Sequence, residues 1–336
     1  MSYSSRFFLY APLALLLAIG AAAGLYWWHA ESRLAARIAA MGTGEAMPGV
    51  TVRYGWSGIG GFPFRLDALF GGMRVSVETG HGPATWRAER FALHALTYGR
   101  DETIFEAAGR QSIAWTDGRG RPHRLDFEAG ATHASVIRDR GGVSRIDLDL
   151  VDFGSSALTA ERLQLHIRRA PGGDGVDLFA SGDKLRLSPA LRGAFGGEIR
   201  SMRLRATASA ASAFDGLRAG RAGWRSAVDA WRGASGVLHL DPLEIDWGGL
   251  VMRGRGGLSL DGAHRPQGIV DFGIWGMADW IAQDRPARRG GIAAALRNRA
   301  AKAGSGAGGR MGVVLGVRDG IVYLGGETAG MAPALY

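Results

Sequence analysis

Between residues 50 and 275 of this 336-residue chain, apolar side chains return at every second position in one short run after another. Val50, Val52 and Tyr54 alternate with Thr51 and Arg53. Phe64, Leu66 and Ala68 alternate with Arg65 and Asp67, and Leu163, Leu165 and Ile167 with Gln164, His166 and Arg168. The cleanest run sets Ile146, Leu148 and Leu150 against Asp147, Asp149 and Asp152. Successive residues of a strand point to opposite faces, so strict alternation means one buried and one solvated face, the mark of antiparallel sheet. Clusters such as Gly118-Arg119-Gly120, Gly141-Gly142 and Pro171-Gly172-Gly173-Asp174 separate the runs at hairpin spacing. The pattern predicts a mainly β chain, an extended antiparallel meander forming a curved sheet.

Two stretches interrupt it. Residues 209–232 carry Phe214, Leu217, Trp224, Val228 and Trp231 at largely helical spacing, with Gly223 as a break or restart. Residues 277–303 read as two short helices around Pro286 and Gly290-Gly291. Gly304–Gly309 reads as a flexible hinge, followed by two last strands near Val313–Val317 and Ile321–Leu324 that Arg318-Asp319-Gly320 joins as a hairpin.

The N-terminus is of another kind. From Phe7 to Trp28 there is no charged residue, and Tyr26, Trp27 and Trp28 close the run. At 1.5 Å per residue such a helix is roughly 33 Å long, which matches a hydrocarbon core of roughly 30 Å with an aromatic belt at the headgroups. A cleaved signal peptide is the rival reading, with Ala21-Ala22-Ala23 as its site. A single basic residue, Arg6, before the run and the continuation through Leu25 to Trp28 favour an uncleaved anchor. Leu34, Ile38 and Met41 continue the helix at spacings of four and three, so residues 1–41 form an anchor and juxtamembrane helix and residues 42–336 the β domain. A short N-terminal tail before a long domain is the shape of a signal anchor whose domain is translocated. The chain has no cysteine, which is compatible with an oxidising compartment.

The net charge is +9, and of 40 basic residues only Lys184 and Lys302 are lysine. The basic residues are spread along the chain among Asp and Glu, which points away from nucleic acid as a partner. The eight histidines show no H-x-H or H-E-x-x-H spacing, and there is no G-x-S-x-G. No catalytic, cofactor-binding or metal-ligating residue is assigned, and no cofactor is expected. Asp147 and Asp149 lie on one open strand face without a calcium loop, and read as solvated.

The most distinctive local string is Ser57-Gly-Ile-Gly-Gly-Phe-Pro-Phe-Arg-Leu66. It lacks a P-loop lysine and reads as a tight turn leading into a strand, with Pro63 at the strand start. Phe62 and Phe64 share one side of an extended chain and are expected to enter the core.

Four features together resemble a known family: the N-terminal anchor, the Gly60–Arg65 box, the Trp231-Arg-Gly-Ala-Ser-Gly-Val-Leu-His-Leu240 segment and the Arg318–Gly325 ending. The chain looks like the bacterial proteins catalogued as domain of unknown function 2125, over roughly residues 10–335. Its last residues, Ala329–Tyr336, depart from that family's proline-arginine-leucine ending. The resemblance implies a membrane-anchored envelope protein and carries over no catalytic residue. The meander is loosely similar to grooved AsmA-like lipid-transport proteins, an analogy of fold alone.

The resulting expectation is a non-enzymatic protein of the bacterial inner membrane, single-pass through residues 7–28, with the bulk of the chain in the periplasm. Its curved sheet would hold or transfer an apolar, lipid-like ligand on a face that includes Leu148, Leu165, Leu243, Ile245 and Leu258. The alternative is a protein-interaction scaffold in an envelope complex, with another envelope protein as partner.

Overall fold

The computed structural model describes residues 4–96, 102–139, 142–283, 291–303 and 309–336, with side chains from residue 15 onward and, in the last helix, up to residue 301. Helix α1 (Ser4–Thr43) leads into β1 (Glu45–Met47), β2 (Val50–Arg53), β3 (Trp56–Gly60), β4 (Arg65–Thr79), β5 (Gly82–Leu96) and β6 (Glu102–Thr116). Then come β7 (Pro122–Glu128), β8 (Ala131–Asp139), β9 (Gly142–Ser155), β10 (Leu158–Arg169), β11 (Gly175–Leu187) and β12 (Glu198–Ser209). The first helical insertion is a 3-10 turn (Ala211–Phe214) with α2 (Asp215–Arg218) and α3 (Trp224–Gly233). Strands β13 (Leu238–Trp247), β14 (Leu250–Leu260) and β15 (Pro266–Trp275) precede α4 (Met277–Ala282) and α5 (Ile292–Ala303). The chain finishes with β16 (Met311–Arg318), β17 (Ile321–Leu324) and β18 (Glu327–Met331).

From β4 to β18 the sheet is an antiparallel meander with one local variation, where β7 and β8 share the space between β6 and β9. At the first edge, β2 and β3 both lie against β4, β2 opposite Arg74–Val77 and β3 opposite Asp67–Gly71. The two helical interruptions fall where the periodicity placed them, and Gly223 is the extended N-cap of α3. The expected last hairpin is present, and β18, which the pattern missed, adds a strand beyond it. The hinge at residues 304–308 lies outside the described residues.

The alternation slips once in several strands, along a line that crosses the sheet. Gly72, Gly109, Asp152 and Lys184 take positive φ there. An αL residue breaks the pleat, so the inward set changes phase: Leu148 and Leu150 are followed by Phe153, and Leu163 is preceded by Ala160. Asp152 therefore sits at the slip and does not continue the outward series of Asp147 and Asp149. Below this line Phe127, Phe153, Ala160, Leu185 and Ile199 form a buried cluster.

The meander curls until remote segments touch. A Cβ on Gly80, in the β4–β5 turn, would lie 2.5 Å from the Cβ of Tyr336, and one on Gly223 would lie 3.3 Å from the carbonyl of Pro48. Tyr336 hydroxyl in turn donates to Asp229 of α3 at 3.1 Å, and its ring lies 4.6 Å from His264.

Helix α1 continues without a break into the domain. Ile38 is buried with Ala68, Phe70 and Met73, flanked by Leu34 and Met41. Tyr54 hydroxyl donates to the carbonyl of Ile38 at 3.1 Å, and Arg53 to that of Gly42 at 2.6 Å. Among the described residues no helix is long and apolar enough to cross a membrane. Residues 7–14 of the apolar run fall outside the described side chains.

One expectation is overturned. Phe62 and Phe64 do not enter the core: they are 59% and 63% exposed. The connection between β3 and β4 turns at Gly61, at φ 97°, and the indole nitrogen of Trp27 donates to the carbonyl of Arg65 at 2.9 Å. Phe62 packs edge-on against Trp27 at 5.5 Å. The turn of the box, residues 61–64, is thus held beside the helix, outside the sheet, and the period-two rule stops applying before Arg65.

Candidate functional site

Residues directly opposite in an antiparallel pair share a face, so the strand registers trace rows across the sheet. One row runs Ala68, Leu93, Phe105, Ala134, Leu148, Leu165, Ala180, Leu204, Leu243, Gly254, Phe272 and Val313. It has no charged or polar side chain. Parallel to it, Leu150, Leu163, Gly182, Met202, Ile245 and Met252 form a second row, and Ile146, Ile167, Leu178, Ala206 and Leu240 a third. Gly254 has no side chain because the Phe272 ring covers it; a Cβ there would meet that ring at 2.5 Å.

Burial along the first row is uneven. Ala68 at one end is 0% exposed and Val313 at the other 2%. Every residue from Leu93 to Leu243 is only partly buried. The helices account for this. Helix α1 lays Leu34, Ile38 and Met41 on the first strands. Helices α4 and α5 lay Trp280, Ala295, Leu296 and Ala300 on Leu250, Ile274, Val313 and Leu324 of the last strands. Between these covers the apolar face spans eight strands from β5 to β13, counting β8 for the β7–β8 layer, or roughly 34 Å of arc at about 4.8 Å per strand.

All five residues singled out in the sequence are on this face and all five are partly exposed. Leu148, Leu165 and Leu243 share the first row. Ile245 is in the second, where it packs against the Phe127–Phe153 cluster. Leu258 lies further along β14, opposite Leu238 and Gly268, beside the small cluster of Ala206, Leu240 and Val270. Leu148, Leu165 and Leu243 belong to neither cluster.

The opposite face is polar and internally paired. Arg162 makes a two-point contact with Asp149 at 2.7 and 2.8 Å, and Asp147 holds His166 at 2.6 Å and Arg145 at 2.7 Å. Burial pushes the Asp147 carboxyl up, but the hydrogen bonds from His166 and Arg145 outweigh it and hold it below its ordinary value. Asp149 is lowered chiefly by its hydrogen bonds from Arg162. These aspartates are occupied as partners in cross-strand pairs. Among the described residues no group of three or more His, Asp and Glu could hold a metal ion.

A cleft of about 1010 Å³ opens where the alternation slips, lined by Arg74, Arg87, Arg110 and Arg124 together with Met73, Ala88 and Phe127. Arg110 is paired with Glu89 at 3.0 Å and Arg124 with Asp126 at 2.6 Å. The apolar rows are the more distinctive feature, because solvated apolar surface is costly and solvated ion pairs are not.

No curated protein matches the chain. The model of a family described as an uncharacterized protein conserved in bacteria, DUF2125, matches residues 27–333, beginning at the tryptophan that holds the Gly60–Arg65 box. With nearly the whole β domain inside that match, the chain belongs to the DUF2125 family.

Proposed function

We propose that this protein is a non-enzymatic, membrane-anchored component of the bacterial cell envelope that holds or transfers an apolar, lipid-like ligand along the half-open rows of its sheet. Residues 7–28 tether it in the inner membrane and the sheet lies in the periplasm. The observation that carries the reading is the row from Leu93 to Leu243, apolar on eight strands and buried on none, between two stretches that helices do cover. A partly exposed apolar face of this extent is uncommon on a protein with nothing to cover it. The tether is supported by the exposure of Leu15, Leu16, Leu17, Ile19 and Leu25 on a helix that runs unbroken into the core.

The test is lipid mass spectrometry on the purified full-length protein beside circular dichroism of Leu148→Glu and Leu165→Glu. On an open face each variant keeps its spectrum and loses bound lipid. In a packed core the same change buries an unpaired charge, and unfolding of both variants would reject the proposal. A folded wild type that carries no lipid but captures one envelope protein would favour the scaffold reading.

A further inference from the structure

The Gly60–Arg65 box is a sequence motif that the apolar rows do not use. Its position is defined by α1. Trp27 bonds to the carbonyl of Arg65 and packs on Phe62, so the box sits level with the end of the apolar run. Phe62 and Phe64 are exposed, and so is Leu96, directly opposite Arg65 on β5. On α1 the exposed Leu25, Tyr26 and Trp28 flank Trp27 along the helix, and Glu31 and the exposed Arg33 and Arg37 come next toward the domain. At 1.5 Å per residue, Arg33 lies about 9 Å past Trp27 along the helix.

The geometry points to a second membrane contact: the Phe62-Pro63-Phe64 tip inserts into the headgroup and acyl boundary of the same bilayer that receives α1. This rests on the tether proposed above. The order of groups is that of an interface, with aliphatic side chains first, then Tyr26, Trp27, Trp28, Phe62 and Phe64 at one level, where Arg65 is exposed and paired with Asp67 at 2.7 Å, then Arg33 and Arg37 at the depth of lipid phosphates. Two aromatic side chains on a tight turn beside a membrane helix bury apolar area at little conformational cost. The contact also fixes the sheet. A helix alone lets the domain rotate about its axis, whereas a helix and a wedge on one side of it hold a single face toward the membrane. The wedge sits at the Arg65 end of β4, next to Leu66 and Ala95, so it brings that end of the apolar rows to the lipid surface.

Because the chain has no cysteine, a single introduced thiol reports one site. Full-length Phe64→Cys, Leu17→Cys and Arg119→Cys would each be labelled with an environment-sensitive fluorophore. They would then be placed in nanodiscs of phosphatidylcholine and phosphatidylglycerol, with circular dichroism to confirm the fold. Nitroxide lipids, spin-labelled near the headgroup or at the chain end, act as quenchers. The expected result is that headgroup nitroxides remove roughly half of the Phe64→Cys signal, as for a group buried about 5–10 Å into the interface. Leu17→Cys responds to the chain-end label and Arg119→Cys to neither. Quenching at Leu17→Cys with none at Phe64→Cys overturns the wedge and leaves the tether standing. No quenching at either site overturns both.

Discussion

Truncating Leu148 and Leu250 to alanine separates an open face from a core. Leu250 is 0% exposed and packs among Ile274, Met277, Trp280 and Leu296. Leu250→Ala removes three carbons at about 0.8 kcal/mol each, and the closed site leaves a cavity, for a total of about 4 kcal/mol. Leu148 is only partly buried and belongs to no buried cluster. It keeps most of its transfer contribution, but water or ligand enters the space left behind and no cavity cost is added, so Leu148→Ala should cost about 2 kcal/mol. The difference of about 2 kcal/mol corresponds to roughly 4–8 °C in melting temperature for a domain near this size. Urea titration and thermal melts of detergent-solubilised full-length protein, followed by far-ultraviolet circular dichroism, would measure it, with Leu165→Ala as a second open-face site. If Leu148→Ala and Leu165→Ala both destabilise as much as Leu250→Ala, the rows are closed and the reasoning fails.

Closure of the meander has its own test: Gly80→Val must displace Tyr336, whose atoms already surround the missing side chain, and should cost about 1–3 kcal/mol. Gly58→Val, with open space around it, should change the melting temperature little. The polar face gives a pH prediction. The Asp147 carboxyl is lowered by its partners in the folded chain, so its contribution is fully present above the unfolded carboxylate value of about 4 and is lost as pH falls through the folded value. Asp147→Asn should therefore reduce stability at neutral pH by on the order of 1 kcal/mol and flatten the acid limb of the stability curve. An unchanged acid limb would mean that the pairing with His166 and Arg145 contributes nothing.

Much of this architecture follows from local chemistry. Alternation of Ile146, Leu148 and Leu150 with aspartates determines a strand with two unlike faces, whatever lies around it. The spacing of Leu34, Ile38 and Met41 determines that the helix has one face to bury, and that face meets Ala68 and Phe70. Gly223 and the Arg318-Asp319-Gly320 turn act through backbone freedom within a few residues. The five apolar residues singled out do share a face, because parity along a strand is a local property.

What tertiary structure decided depends on partners distant in sequence. The slip at Gly72, Gly109, Asp152 and Lys184 changes which parity points inward, and only Gly72 and Gly109 are of the residue type that favours it. Phe62 and Phe64 have the same alternation as Leu66 and Ala68, yet the pairing of β3 back onto β4 puts them in the connecting turn, which Trp27, 38 residues from Arg65, holds against α1. Whether Leu148 is core or groove could not be read from its neighbours in the chain. Exposure there is set by where α1, α4 and α5 come to rest, and those positions are fixed by side-chain packing across the whole curve of the sheet, not by the residues of β9.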